Sequence, residues 1–296
     1  MGGGIVFALL AALCNAVSVI ERHIASTADA DRPRGRRLVA YLLRNPRWLA
    51  GTAAQIGAFA FQAVALHLSP VSVVQPLLVT ELVIALVLRR VWIRQSVGAA
   101  AWAGAAAACA GLGVFLVAAE PRGGHPAPAG GHWTAAIVGC AALVAVLSAA
   151  GRGGSPGRRA ALRGIAAGVA WALEATFIKT ATDNAAAGGV TGLFTGWAVY
   201  AVAAGGLAGV LLEQVALQDG PLRVSQPLLV ITDPLVSIAL SVWLFGEYFE
   251  MSAGVLAAAA AGFAVMAAGV VVLSLAAPDT LEADTVRAES DRTRSG

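Results

Sequence analysis

Charge is what this chain has least of. Only 12% of its 296 residues are Asp, Glu, Lys or Arg, and a single lysine, Lys179, accompanies nineteen arginines. A soluble domain usually carries about a quarter of its residues charged, so a water-facing globule is excluded. Cysteine is equally sparse. Cys14, Cys109 and Cys140 each stand alone in an apolar run, which excludes a disulfide framework or a cysteine metal site and leaves them as small packing residues. The four histidines, His23, His67, His125 and His132, fall in loops or at helix ends, so no Ser/His or metal pair lies within a membrane. An intramembrane aspartyl protease needs two aspartates at depth, and only Asp233 qualifies. There is no G-x-x-x-x-G-K-[ST] loop, which argues against direct ATP coupling. Neither an enzyme nor a cofactor is expected.

The N-terminal Met-Gly-Gly-Gly has no basic region before its apolar run, as a signal peptide would. The run is expected to be a retained helix. Val6 stands where a myristoylation signal needs Ser or Thr.

What fills the chain instead is hydrocarbon: 58% of residues are hydrophobic and the mean hydropathy is +0.76. A spanning helix needs roughly 20 mostly apolar residues. That rule predicts nine spans, at about 3–22, 48–68, 70–89, 96–119, 133–150, 164–182, 192–213, 221–244 and 252–276. The pI of 9.1 does not signal nucleic acid, because the arginines form no basic face. Their distribution sets orientation instead. Eighteen basic residues fall on one side: Arg22 to Arg47, Arg89 to Arg94, Arg152 to Arg163, Arg223 and the tail. Only Arg122 and Lys179 fall on the other. The expected topology in the inner or plasma membrane is N-terminus outside and C-terminus cytoplasmic. Residues 25–47 include a stretch that reads as a short interfacial helix, and 278–296 read as a disordered cytoplasmic tail.

The chain also repeats itself. Aligning Gln75 with Gln226, residues 62–91 match 213–242 at eleven of thirty positions, including Val64-Ala-Leu66 with Val215-Ala-Leu217 and Gln75-Pro-Leu-Leu-Val79 with Gln226-Pro-Leu-Leu-Val230. Gly4-Ile5 and Ala12-Leu13 align with Gly164-Ile165 and Ala172-Leu173. Matching helices are five spans apart, so they run in opposite directions. The expected fold is therefore all-α and integral to the membrane, with about nine transmembrane helices in two inverted-topology repeats, an architecture of many secondary transporters. The halves are 1–132 and 151–277, joined by a linking helix at 133–150. Small-residue stripes fit internal packing and dimerisation equally, which leaves the oligomeric state open.

Three acids interrupt the hydrocarbon. Glu81 lies about 16 Å along the third span at ~1.5 Å per residue, near the midplane. Asp233 is at similar depth in the eighth span, and Glu174 is mid-span in the sixth. A charged acid at the bilayer centre costs roughly 2.5–3.5 kcal/mol even on the lenient insertion scale. Two readings stand: carriers of a proton or cation, or hydrogen-bonded glue between helices. Glu81 and Asp233 would be the ligands if the cargo were a divalent cation. Asp233 is seven residues after Gln226, roughly on the same helical face, but Glu81 is six after Gln75, some 120° around from it at 3.6 residues per turn, so the pair is quasi-equivalent.

Pro76 and Pro227 each remove a backbone donor about two turns into a helix, and lipid cannot satisfy the freed carbonyl. Gln75 and Gln226 beside them either line a substrate cavity or cap a kink. Asn15 and Ser18 share a face of the first span and either line the same cavity or bond another helix. Trp171, one turn before Glu174, is either a wall for an organic cation or packing. Lys179 is expected to snorkel to the outer surface.

The inverted repeat, with an apolar helix ending Ala65-Leu66 and Pro70 leading into a proline-containing helix, resembles the drug/metabolite transporter superfamily. The block from Trp48-Leu-Ala-Gly51 through Val73-Val-Gln-Pro-Leu77 is most similar to its NIPA-like magnesium-transporter branch. The resemblance implies a ten-helix plan with one helix reduced, at residues 36–47. Glu81 is not part of the pattern it carries. The expected partners are the lipid bilayer, a small-molecule or cation substrate and a coupling proton, and no nucleic acid. The first expectation is a proton-coupled transporter of a small organic metabolite or drug. Alternatives are a Mg²⁺ or other divalent-cation transporter and a non-transporting membrane scaffold.

Overall fold

The computed structural model describes residues 2–27, 45–94, 97–120, 122–123, 130–218, 222–249 and 252–276. Most of the expected interfacial segment and the whole expected tail lie outside them. Among the described residues, nine helical spans are long and apolar enough to cross a membrane, so the chain is an all-α, multi-pass membrane protein. The elements are α1 (Gly2–Thr27), α2 (Pro46–Leu68), α3 (Val71–Leu78), α4 (Thr80–Trp92), α5 (Ala99–Ala119), α6 (Gly130–Ala150), α7 (Pro156–Thr195), α8 (Ala198–Gln218), α9 (Leu222–Phe245) and α10 (Ala253–Ala276). Two short strands, β1 (Arg122–Gly123) and β2 (Glu247–Tyr248), pair antiparallel. Because the spans alternate, residues 69–71, 122–123, 130–132 and 246–249 share one end, here the upper. Residues 92–94, 97–98 and 151–155 share the lower. Large apolar side chains such as Val117, Val190 and Ile56 are exposed on the helix faces, as contact with lipid requires.

Local chemistry sets the helix ends. Asn45 caps α2, its side chain accepting from the amides of Arg47 (3.0 Å) and Trp48 (3.4 Å), with Pro46 in the first turn. At the top, Ser69 is extended before Pro70, as a pre-proline residue prefers. The third span is not one uninterrupted helix. After Pro76 the chain takes a tight step at Val79, whose amide donates to Pro76 O at 3.2 Å, while Thr80 Oγ1 donates to Leu77 O at 2.6 Å. Such three-residue closures turn the chain further per residue than an α-helix does. By contrast, α9 runs unbroken through both Pro227 and Pro234.

Two expected boundaries move. The sixth span, expected at 164–182, extends over Pro156–Thr195, because Ser155 and Pro156 start it early and the Ala-rich run after Asn184 keeps it helical. Gly189 breaks it at φ 60°, ψ −150°, a conformation that glycine alone adopts readily. The seventh span, expected at 192–213, consequently starts later and reaches Gln218.

Packing is concentrated in a few pairs: α5 with α10, α1 with α2, and α7 with α8 and α9. The α3/α4 span lies against α1, and α3 also touches α9. The α5–α10 pair is held at backbone distance by glycine. A Cβ on Gly104 would stand 2.7 Å from Leu273 N, and one on Gly262 2.6 Å from Phe115 N. A Cβ on Gly111 would collide with Met266 N. Without a hydrophobic driving force between helices in lipid, such close contact is the main source of association.

The principal core gathers toward the upper end, where Leu66, Val71, Val74, Trp133, Phe177, Leu244 and Phe245 pack together. Trp133 sits at 4.9 Å from Trp197 and 5.7 Å from Phe177, centroid to centroid. Residues 71–77 are all buried, whereas 81–85 are half-buried. Glu247, at the foot of β2, is 1% exposed. Its carboxylate accepts from the amides of Val71 (2.7 Å) and Ser72 (3.1 Å) and from Ser72 Oγ (2.6 Å).

Gly111→Leu and Gly262→Leu should each lower the melting temperature in detergent by several degrees, since overpacking typically costs about 1–3 kcal/mol. Gly113→Leu, where a Cβ meets nothing within 4 Å, should leave it unchanged. Equal shifts for all three would contradict this packing.

Candidate functional site

Four spans each deliver one carboxylate toward the same region. Glu81 comes from the first turn of α4, just below the step at Val79. Asp233 comes from mid-α9, Glu174 from mid-α7 and Glu213 from α8. Asp233 lies within electrostatic reach of Glu81, Glu174 of Asp233, and Glu81 of Glu213. The four acids thus follow one another in a chain that leads from mid-span toward the lower end, because Glu213 is five residues from the end of α8. Asp233 lies within electrostatic reach of Glu81 although residue counting puts the two about 100° out of phase. The tight step at Val79 falls between Gln75 and Glu81 and departs from the uniform helix which that count assumes.

Three of the four acids have a neutral hydrogen-bonding neighbour. Asn15 hydrogen-bonds Glu81 and is itself fixed by Gln55, whose Nε2 donates to Asn15 Oδ1 at 3.0 Å. Ser18 Oγ completes the line by donating to Gln55 Oε1 at 3.2 Å. Asn15 therefore reaches an acid and bonds α2, and Ser18 bonds α2. Ser237 Oγ donates to Asp233 Oδ1 at 3.1 Å from the next turn of α9. Trp171 Nε1 donates to Glu213 Oε2 at 3.1 Å, so this ring is anchored at the edge of the acids.

Helix α8 is notched to receive these groups. At Gly206 a Cβ would stand 2.7 Å from Glu174 Oε1, and at Gly209 one would stand 3.1 Å from the Trp171 ring. Glu174 is 5% exposed. In hydrocarbon, a carboxylate without polar partners costs several kcal/mol. The arrangement can hold a proton or a positively charged group among the acids, with amide and hydroxyl groups to orient it.

The glutamines and prolines divide. Pro76 and Pro227 are both buried. Gln75 is 2% exposed and its Nε2 has no hydrogen-bond partner, a free donor in the buried upper half of the third span. Gln226 is exposed and does not join the acids. Among the described residues, no three His, Cys, Asp or Glu side chains are set to hold a metal ion. A metal role for Glu81 and Asp233 would rest on that pair alone.

Lys179 corrects an expectation. It does not snorkel; it is 8% exposed, donates to Leu66 O at 3.0 Å, and stands 3.9 Å from Asp183 and 5.5 Å from the Phe245 ring centroid. Its site is a carbonyl at the end of α2, the adjacent acid and an aromatic face, which together replace water. Asp183 also meets His67 Nδ1 at 3.0 Å.

The sequence reading missed Glu213 and Glu247. Glu213 stood on the last residue of its expected span and so looked interfacial; the true helix end at Gln218 draws it inward. Glu247 has one signal in retrospect: Pro70 gives α3 no side-chain cap, so its first amides required a distant acceptor.

No family model matches the chain, and no solved structure matches it. An uncharacterized protein of Corynebacterium glutamicum is similar to it, 27% identical over 248 residues that make up 83% of this chain and 86% of that one.

If Asn15 and Glu81 interact as described, Asn15→Leu and Glu81→Gln should be non-additive in thermal stability, with a coupling of about 1 kcal/mol in a double-mutant cycle. Strict additivity would separate them.

Proposed function

We propose that the protein is a secondary transporter of the cell membrane that moves a small organic metabolite or drug, coupled to protons through Glu81, Asp233 and Glu174. The observation that carries this reading is the convergence of four carboxylates from four spans in one apolar bundle. Intramembrane acids are costly and characteristically mark ion and substrate paths. A site of this kind binds either a proton or a cationic substrate group, and competition between the two couples their movement. Asn15 would orient Glu81, and Gln75 would offer its unused donor to an uncharged acceptor on the substrate.

The inverted-repeat architecture of a drug/metabolite transporter supplies the movement in this reading. Two features support it. The α1 helix packs on α2 and on the α3/α4 span much as α7 packs on α8 and α9. Gly111 and Gly262 are separated by the same 151 positions as Gln75 and Gln226 (262 − 111 = 226 − 75), and a Cβ on either would collide with the helix that carries the other. Such contact between equivalent points is what a two-fold axis between repeats produces. Transport then follows as the halves rock around the midplane acids. The arginine asymmetry puts the lower end, with its arginines, in the cytoplasm and the upper end outside.

The test is purified protein in liposomes with a pH-sensitive dye inside, challenged with a panel of organic amines, amino acids and sugars, and in parallel with Mg²⁺ and a Mg²⁺ indicator. At least one organic compound should drive proton movement that Glu81→Gln and Asp233→Asn each reduce by tenfold or more, the scale of losing about 1.4 kcal/mol or more of binding. Entry of Mg²⁺ alone would replace the proposal with a divalent-cation transporter. Silence from every probe, with all three acids replaceable without loss of the host's phenotype, would replace it with a scaffold.

A further inference from the structure

Glu247 performs a task that a simple helix cap does not require. A helix beginning at Val71 needs acceptors for its first amides, and a local Ser, Thr, Asp or Asn ordinarily provides one. Here Pro70 provides none. The acceptor is instead a buried carboxylate 175 residues away, delivered by the turn at Gly246 (φ 64°) that leads out of α9. Its three bonds all cross between two spans, the third and the eighth. The following strand then ties the same corner to the end of α5 through the Arg122–Tyr248 and Gly123–Glu247 pairing.

A second set of contacts closes the rest of that end. Lys179 of α7 reaches Leu66 O at the end of α2 and the Phe245 ring at the end of α9. Asp183 joins Lys179 to His67. The ends of α2, α3 and α9 and the Lys179–Asp183 turn of α7 are thus bound to one another, beside a layer in which residues 71–77 are wholly buried. Below the step at Val79, burial loosens around Glu81. On the third span, burial is therefore tightest on the upper side of Glu81.

We infer that Glu247 is the latch of an extracellular gate: its bonds to Val71 and Ser72 hold the upper end shut while the acids face the cytoplasm, and they must break for the acids to face outward. The inference rests on the alternating-access reading above. The chemistry suits a reversible contact. While closed, the carboxylate is held by two amides at a positive helix end and by a hydroxyl, which are strong charge-assisted bonds. When open, it lies at the membrane surface, where water replaces those donors, so neither state leaves a charge stranded in hydrocarbon. An acid one turn deeper would lack the second condition.

The test measures access from outside, without reference to any substrate. Gln75→Cys, one turn below Ser72 in a background with the three native cysteines replaced, is labelled in oriented vesicles by a membrane-impermeant thiol reagent. Labelling should be slow. Adding Glu247→Gln, which puts an amide donor against amide donors, should accelerate it about tenfold or more, as loss of a charge-assisted bond shifts a two-state equilibrium. Ser72→Ala, losing the hydroxyl bond alone, should accelerate it less. Both variants are compared at matched monodispersity, and reactivity of a cysteine at Ala108, buried in the α5–α10 contact, serves as the control. Acceleration confined to Gln75→Cys supports the latch. Unchanged labelling in both variants overturns it, as does equal acceleration at Ala108, which would mean general loosening. If the latch behaves as expected while no compound moves protons, the gate stands and the proton-coupled reading falls.

Discussion

The structure depends on keeping carboxylates in hydrocarbon. A bundle of apolar helices would pack without Glu81, Glu174, Glu213 or Asp233, and better without them. Each must be met by something that lipid does not provide. Around them are gathered the few polar side chains at this depth: Asn15 held by Gln55, Ser237 one turn from Asp233, and the Trp171 indole at Glu213. The glycines of α8 give Glu174 and Trp171 the space they occupy. The tight step after Pro76 lies just above Glu81, which is within electrostatic reach of Asp233.

The two ends of the bundle differ in kind. Above, Glu247 and Lys179 are buried, and their hydrogen bonds tie separate spans together. Below, Glu213 leads the acid chain toward the end where the arginines cluster. The proposed transporter would use this polarity, with one path closed while the other is accessible and contacts at the closed end that water can replace.

Much of the fold was legible because bilayer thickness dictates span length. Nine apolar runs gave nine helices, with the first, second, fourth and ninth close to their expected limits. Boundaries failed where composition was ambiguous: Ala185 to Ala187 read as a loop but remained helical, and the shift carried Glu213 out of the interface. The midplane acids were legible because charge in hydrocarbon is conspicuous. Their mutual proximity was not, because counting residues assumes uniform helix geometry and Pro76 breaks it. Glu247 was hidden because its partners are 175 residues away, and Lys179 was misjudged because the Leu66 carbonyl that holds it belongs to another span. Long-range partners of this sort leave no local pattern.

The central claim is that Glu81 and Asp233 are close enough to act on one another across two spans. It is tested most directly by replacing both with cysteine in a background lacking the three native cysteines and treating membranes with a short bifunctional thiol reagent. Asn15→Cys with Gln55→Cys, whose native side chains are hydrogen-bonded at 3.0 Å, serves as the reference pair. The account predicts that the 81–233 pair is bridged within one chain about as readily as the reference, as seen by mass spectrometry of the joined peptides. Bridging of the reference pair with none between 81 and 233 would put the acids on separate faces and contradict the account.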